Sequence, residues 1–146
     1  MAVAEPQVLV RLQTDPIDFT SLVELVRTTA AGAVVLFLGT VREFTGATRT
    51  VALEYEAHPE LAVKEMKRIA AAAQERWPIL AAGLVHRLGR LELGAVSVAV
   101  AVSCPHRIDA FAAGSFLIDE LKKSVPIWKR DLATDGTSAW IENRPT

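Results

Sequence analysis

Cysteine is nearly absent: Cys104 is the only one in 146 residues. A single thiol excludes an internal disulfide and a metal cage built from cysteine alone, and it fits a reducing compartment. The three histidines, His58, His86 and His106, show no ligand spacing such as HxxxH or HExxH, so no metal site is expected. An excess of one charge is lacking too. Sixteen basic residues face 17 acidic ones, for a net charge of −1. A general nucleic-acid or membrane surface is therefore not expected, and any anion site must be local. No apolar run reaches the roughly 18 residues that a membrane span needs. The opening MAVAEPQVLV has no basic stretch followed by a long apolar one, so a signal peptide is not expected either. Together these absences predict a soluble, cytoplasmic chain.

With 51% apolar and 23% charged residues, residues 1–146 read as one globular domain able to bury a core. No internal repeat, linker or low-complexity tract interrupts it. Val8 to Leu12 reads as an opening strand. Asp15-Pro16 then offers an N-cap with proline at the first helical position, ahead of Leu22, Val23, Leu25 and Val26 at helical spacing. GAVVLFLGTV, from Gly32 to Val41, is a buried strand, and EFTGAT after it is a mobile loop. TVALEYEA alternates apolar with polar residues, as a strand with one wet face does.

A helix follows from Pro59 to Trp77, ended by Trp77-Pro78. LAAGLVHRL and AVSVAVAVS form two strands joined through Gly89 and Gly94. Cys104-Pro105 opens a third helix with Ile108, Phe111, Ile118 and Leu121 on its apolar stripe, and Pro126 stops it. IWKRDLA and SAWIE are strands around an Asp135-Gly136 turn. Three helices among strands that often follow one another directly predict an α+β domain with a mixed, largely antiparallel sheet. The late strands leave edges that a partner could cover.

Cations concentrate in KKSVPIWKR, from Lys122 to Arg130. Lys123 has Asp119 and Glu120 one helical turn back and reads as a solvated ion pair. Lys122 lies one turn beyond Ile118, so its stem follows the apolar stripe. There it either snorkels to water or sits partly desolvated, with the lowered pKa that suits proton transfer. Lys129 shares an extended face with Ile127 and Asp131, while Trp128 and Arg130 face the other way. It is either a strand-edge lysine or the partner of Lys122 across a bend at Pro126. In SCPHR, His106 and Arg107 fall in a first helical turn, where cations oppose the helix dipole. That suggests a bound anion, unless His106 is neutral and Arg107 turns outward. Arg42, ending a strand next to Gly39, is either plain surface or a bidentate phosphate partner joining the other cations. Cys104 and His106 lack the geometry and the third group of a cysteine nucleophile with its base.

Taken together, FLGTVRE, LEYEAHPELA, HRLGRLELG and PHRIDAFAAGSFLIDELKKSVPIWKRD resemble the large, catalytic subunits of molybdopterin synthase, in order and from about Gly32 to Arg144. The resemblance implies an α/β-hammerhead fold and a sulfurtransferase of molybdenum cofactor biosynthesis. Such an enzyme converts a cyclic pyranopterin monophosphate to molybdopterin with two sulfurs from the thiocarboxylated C-terminal glycine of a small ubiquitin-like carrier. It implies a homodimer of large subunits within a heterotetramer, and no cofactor of its own. Carried onto this sequence, it implies Lys122 and Lys129 as catalytic residues, Lys122 being preferred to Lys123 by its seven-residue spacing to Lys129. Arg42, His106 and Arg107 would bind the phosphate, with Thr40, Val41, Arg130 and Asp131 in the pocket wall and Arg144 a basic residue near the dimer contact. The sequence departs at His58 and Cys104, where relatives tend to carry an aromatic and a small residue. A non-catalytic anion-binding or carrier-docking module of the same fold is the alternative. RNA binding through the basic segment is a weaker one, opposed by the balanced charge.

Overall fold

The computed structural model describes residues 5–142, with the backbone alone at Ala139, Ile141 and Glu142. Among the described residues, nine strands and three α-helices follow the order β1 (Gln7–Gln13), α1 (Phe19–Val26), β2 (Ala33–Thr40), β3 (Phe44–Thr45), β4 (Thr48–Ala57), α2 (Pro59–Arg76), β5 (Ala81–Arg87), β6 (Gly89–Glu92), β7 (Val96–Cys104), α3 (Arg107–Ser124), β8 (Ile127–Ala133), β9 (Ser138–Glu142). The expected α+β class holds, but the strands form two sheets. The first has the order β1-β5-β7-β2, with β1 parallel to β5 and the other pairs antiparallel. The second joins β3, β4, β8 and β9, with β6 also on β4, and is antiparallel throughout.

β7 explains the layering. Its sequence VSVAVAVSC is apolar at nearly every position because both of its faces are covered. Val98, Val100, Val102 and Cys104 point into the main core under α2 and α3, while Ala99 and Ala101 point to the smaller core under α1. On α2, Ala62, Met66, Ile69, Ala70 and Ala73 form the buried stripe. His58 caps this helix by accepting a 3.3 Å hydrogen bond from the Leu61 N–H, which gives the departure at that position a local role.

Several boundaries differ from the sequence expectation, each for a local reason. The first helix is capped by Asp18, which accepts from the Ser21 N–H and hydroxyl, and not by Asp15; Pro16 precedes the helix. EFTGAT is not a simple loop, since Gly46 at φ +59° closes a hairpin between β3 and β4. The stretch between Gly89 and Gly94 is no plain turn: their positive φ values bracket β6, which crosses to pair with β4. Cys104 ends β7, Pro105 lies outside α3, and His106 is the N-cap residue, so only Arg107 belongs to the first turn.

The apolar stripe of α3 holds at Ile118 and Leu121 but not at the start of the helix. Ile108 and Phe111 are 76% and 65% exposed, whereas Ala110, Ala113, Gly114, Leu117, Ile118 and Leu121 are buried. Close approach is the reason: a Cβ on Gly114 would meet Val35 at 3.3 Å and Val102 at 3.6 Å, so small residues face the sheet. No helix among the described residues is long and apolar enough to cross a membrane.

Candidate functional site

A cleft of about 340 Å³ opens where the end of β2 meets the inner face of the second sheet and the last turn of α3. Phe37 to Thr40, Arg42, Thr45, Thr50, Leu53, Tyr55, Ser97, Lys122, Lys129 and Asp131 line it. A hollow of about 400 Å³ between α1 and β1 is larger, but among the described residues Arg11 is its one cation and none of the expected site residues reaches it.

Each cation arrives by a different route. β2 loses register between Gly39 and Thr40, a bulge that re-aims the chain beyond it. Val41 then pins that chain: its N–H donates to the Ala95 carbonyl at 3.0 Å and its carbonyl accepts from the Gly94 N–H at 2.8 Å. Val41 is therefore buried and anchors the strand end, while Thr40 and Arg42 on either side reach the cleft. Lys122 lies in the last turn of α3, where a cation also complements the helix dipole. The chain turns after Ser124, the His58 N–H donates to the Pro126 carbonyl at 3.3 Å, and β8 returns with Ile127, Lys129 and Asp131 facing inward.

Gly39 keeps the floor of this cleft low. A Cβ there would lie 2.6 Å from Val98 Cγ1 and 3.5 Å from both the Phe37 ring and Ser97 Oγ. Val98 is β-branched and sits in the central strand, so it has nowhere to move. Gly39→Ala is expected to lower stability by about 1–3 kcal/mol and to weaken anion binding in the cleft, as read by denaturant unfolding and by titration with the ligand. A variant as stable as the native chain would show that the strand yields freely.

The electrostatics follow from burial. Lys122 is held below the usual lysine value by desolvation first and by the Lys129 ammonium second. Its neighbour Lys123 points to solvent beside Glu120 at 3.8 Å, as the acidic residues one turn back imply. Asp131, the one carboxylate among the described residues of the cleft wall, accepts from Thr50 Oγ1 at 2.7 Å. Burial raises the Tyr55 phenol above its ordinary value; Ser97 beside it offsets part of this, and the Asp131 charge adds to it. Cys104 is fully buried, and desolvation pushes its thiol up to about 11, an inert group outside the cleft. Among the described residues no cluster of His, Cys, Asp and Glu could hold a metal ion.

The structure thus brings Thr40, Arg42, Lys122, Lys129 and Asp131 together and separates the remaining candidates. Arg130 lies on the outer face of the second sheet, paired with Glu54 across the strands and stacked on Trp140 at 5.0 Å. His106 and Arg107 are exposed at the far end of α3 from Lys122, about 22 Å away at 1.5 Å per residue. Arg144 lies outside the described residues. Tyr55, Thr50 and Ser97 were not read as site residues. The alternation of LEYEAH places Leu53 and Tyr55 on one face of β4, but only the β4–β8 register sets Tyr55 opposite Lys129.

The family model described as MoaE protein matches residues 12–124. A molybdopterin synthase catalytic subunit of Halalkalibacterium halodurans is 42% identical over 130 residues, covering 89% of this chain and 83% of its own. The crystal structure of molybdopterin synthase from Staphylococcus aureus superposes with a TM-score of 0.84 at 38% identity, over 89% of this chain and 94% of the other. A complex of subunits 1 and 2 of molybdopterin-converting factor from Helicobacter pylori matches with a TM-score of 0.72 over 94% and 91% of the two chains. At 20% identity that likeness concerns the fold.

Proposed function

The chain belongs to the MoaE family, and on that premise we propose that it works as a catalytic subunit of molybdopterin synthase, a sulfurtransferase of molybdenum cofactor biosynthesis. The substrate is a cyclic pyranopterin monophosphate, and the sulfur arrives on the thiocarboxylated C-terminus of a small ubiquitin-like carrier. A two-subunit complex among the structural neighbours supports such a partner.

The observation that carries this reading is the convergence of Arg42, Lys122 and Lys129 on one cleft that no thiol lines. A cleft with these cations suits reactants that are both anionic. Phosphate and thiocarboxylate repel each other in water, and three fixed cations offset that repulsion where water is partly excluded. The sulfur nucleophile comes with the carrier, which is why the one cysteine can remain in the core. Arg42 binds the phosphate. Lys129 stabilises charge that develops as sulfur attacks and oxygen leaves, and Lys122, desolvated and beside a second ammonium, is the proton donor. His106 and Arg107 stand too far along α3 to join this cleft within one chain, so a part in phosphate binding requires them to come from a second copy in a homodimer.

The test is conversion of the cyclic precursor by the native chain with a thiocarboxylated carrier, compared with the same carrier ending in a plain carboxylate. Dithiolene product is expected with the first and none with the second. Tight carrier binding without any product would reduce the chain to a docking module.

A further inference from the structure

Tyr55 is a buried aromatic whose position exceeds what packing requires. It is 8% exposed, yet it lines the cleft, and the register sets it directly opposite Lys129 on the neighbouring strand, a separation of about 5 Å between Cβ atoms. Behind it, on β5, lies His86, only 3% exposed. The two rings meet edge to face, 4.9 Å between centroids with 67° between planes.

His86 is itself held in one orientation. Its Nδ1 lies 2.8 Å from the Arg87 carbonyl, and since a carbonyl can only accept, Nδ1 carries the proton of the neutral ring. Burial, with Lys122 adding its charge, brings the ring's pKa down to about 4, so no third cation forms behind the two lysines near neutral pH. The Tyr55 phenol, pushed upward by burial, keeps its proton. Ser97 next to it donates to the Gly39 carbonyl at 3.1 Å, so the Ser97 proton is committed. The Tyr55 O–H is then free to turn between Ser97 Oγ and a ligand oxygen.

We propose that Tyr55 is a further substrate-contacting residue of the cleft, offering a neutral O–H to an anionic oxygen of the ligand beside Lys129, and that His86 is the positioning residue that fixes its ring. The inference rests on the sulfurtransferase reading for its substrate and deepens that site. Two ammonium groups supply charge with little directionality, whereas a phenol on a clamped ring supplies direction.

Tyr55→Phe preserves the ring contact with His86 and deletes the donor. It is expected to lower kcat/KM for the pterin precursor, and the precursor's equilibrium affinity, by about tenfold to a hundredfold, the range for a hydrogen bond to a charged group. Carrier affinity and the thermal midpoint stay close to native. His86→Ala frees the ring and produces a similar loss, His86→Phe restores it, and His86→Ala adds less than about twofold in the Tyr55→Phe background, because both changes act through one hydroxyl. Should His86→Ala fail to fold, Tyr55→Phe and His86→Phe still decide the matter. Native rates and precursor affinity in Tyr55→Phe, beside a native chain that turns over, would overturn the proposal and leave the sulfurtransferase reading standing. A native chain that binds the precursor without converting it would sink that reading, and the binding measurement alone would then judge Tyr55.

Discussion

Replacing Lys122 with alanine is expected to lower product formation from the cyclic precursor by about 10²–10⁴-fold while the carrier still binds, the scale on which removing a positioned proton donor acts. The size of the effect follows from where the ammonium sits. Lys122 is partly desolvated at the edge of the main core, and Lys129 approaches it across the turn at Pro126. An ammonium in such a place gives up its proton more readily than one in water and interacts more strongly with an anion beside it. Lys123→Ala is the matched control. Its ammonium is exposed beside Glu120, and a surface pair of this kind contributes about 0–1 kcal/mol, so its rate should remain within about twofold of native. Single-turnover rates with saturating carrier compare the two adjacent lysines. Equal losses would mean that general positive charge, not the Lys122 position, supports the reaction.

Acid should destabilise the native fold through His86. The ring titrates at about 4 in the folded chain against 6.5 when free. Below pH 6.5 the unfolded chain takes up a proton that the folded chain refuses, so stability rises with pH across this window and is lost as pH falls from 6.5 towards 4. The separation of the two values corresponds to about 3 kcal/mol, most of it spent by pH 4.5. Lys122 on α3 carries the charge that disfavours the imidazolium, after burial itself, and Tyr55 on β4 offers its ring and no counter-charge. His86→Phe removes the titration and keeps an aromatic ring against Tyr55. Between pH 7 and 4.5 the native chain should therefore lose about 2–3 kcal/mol more than the variant, measured by denaturant unfolding at each pH. Parallel losses would show that His86 accepts its proton within the folded structure.

Much of the fold was legible because the strongest signals are local. β7 declared itself through an unbroken apolar run, α2 through Pro59 and its helical stripe, and the last hairpin through Asp135-Gly136. The misplacements came where a long-range contact outweighed a local pattern. Ile108 and Phe111 were the largest apolar residues near the start of α3, but the close seat of Gly114 on Val35 and Val102 admits only small neighbours there, which turns the large ones outward. Gly89 and Gly94 looked like one turn because nothing nearby in sequence announces that β6 leaves the first sheet for β4.

The site divides in the same way. Residue types and spacing alone placed Lys122 at the end of an apolar stripe, Lys129 and Asp131 on a common strand face, Lys123 in solvent, and Arg42 at a strand end, and each of these positions is found. They follow from helical and strand periodicity, which any stretch of chain carries within itself. Which of these side chains meet was decided by the tertiary structure. The bulge after Gly39, the turn at Pro126 and the β4–β8 register bring Arg42, Lys122, Lys129 and Tyr55 to one cleft, while the 18-residue length of α3 keeps His106 and Arg107 away from it and the pleat turns Arg130 to the outer face. His86 shows the division in a single residue: the sequence assigned it to a strand, and only the packing of β4 and α3 over that strand made it neutral, buried and clamped against Tyr55. Distance along the chain carries no information about such meetings, because register and layer packing are set by the whole core at once.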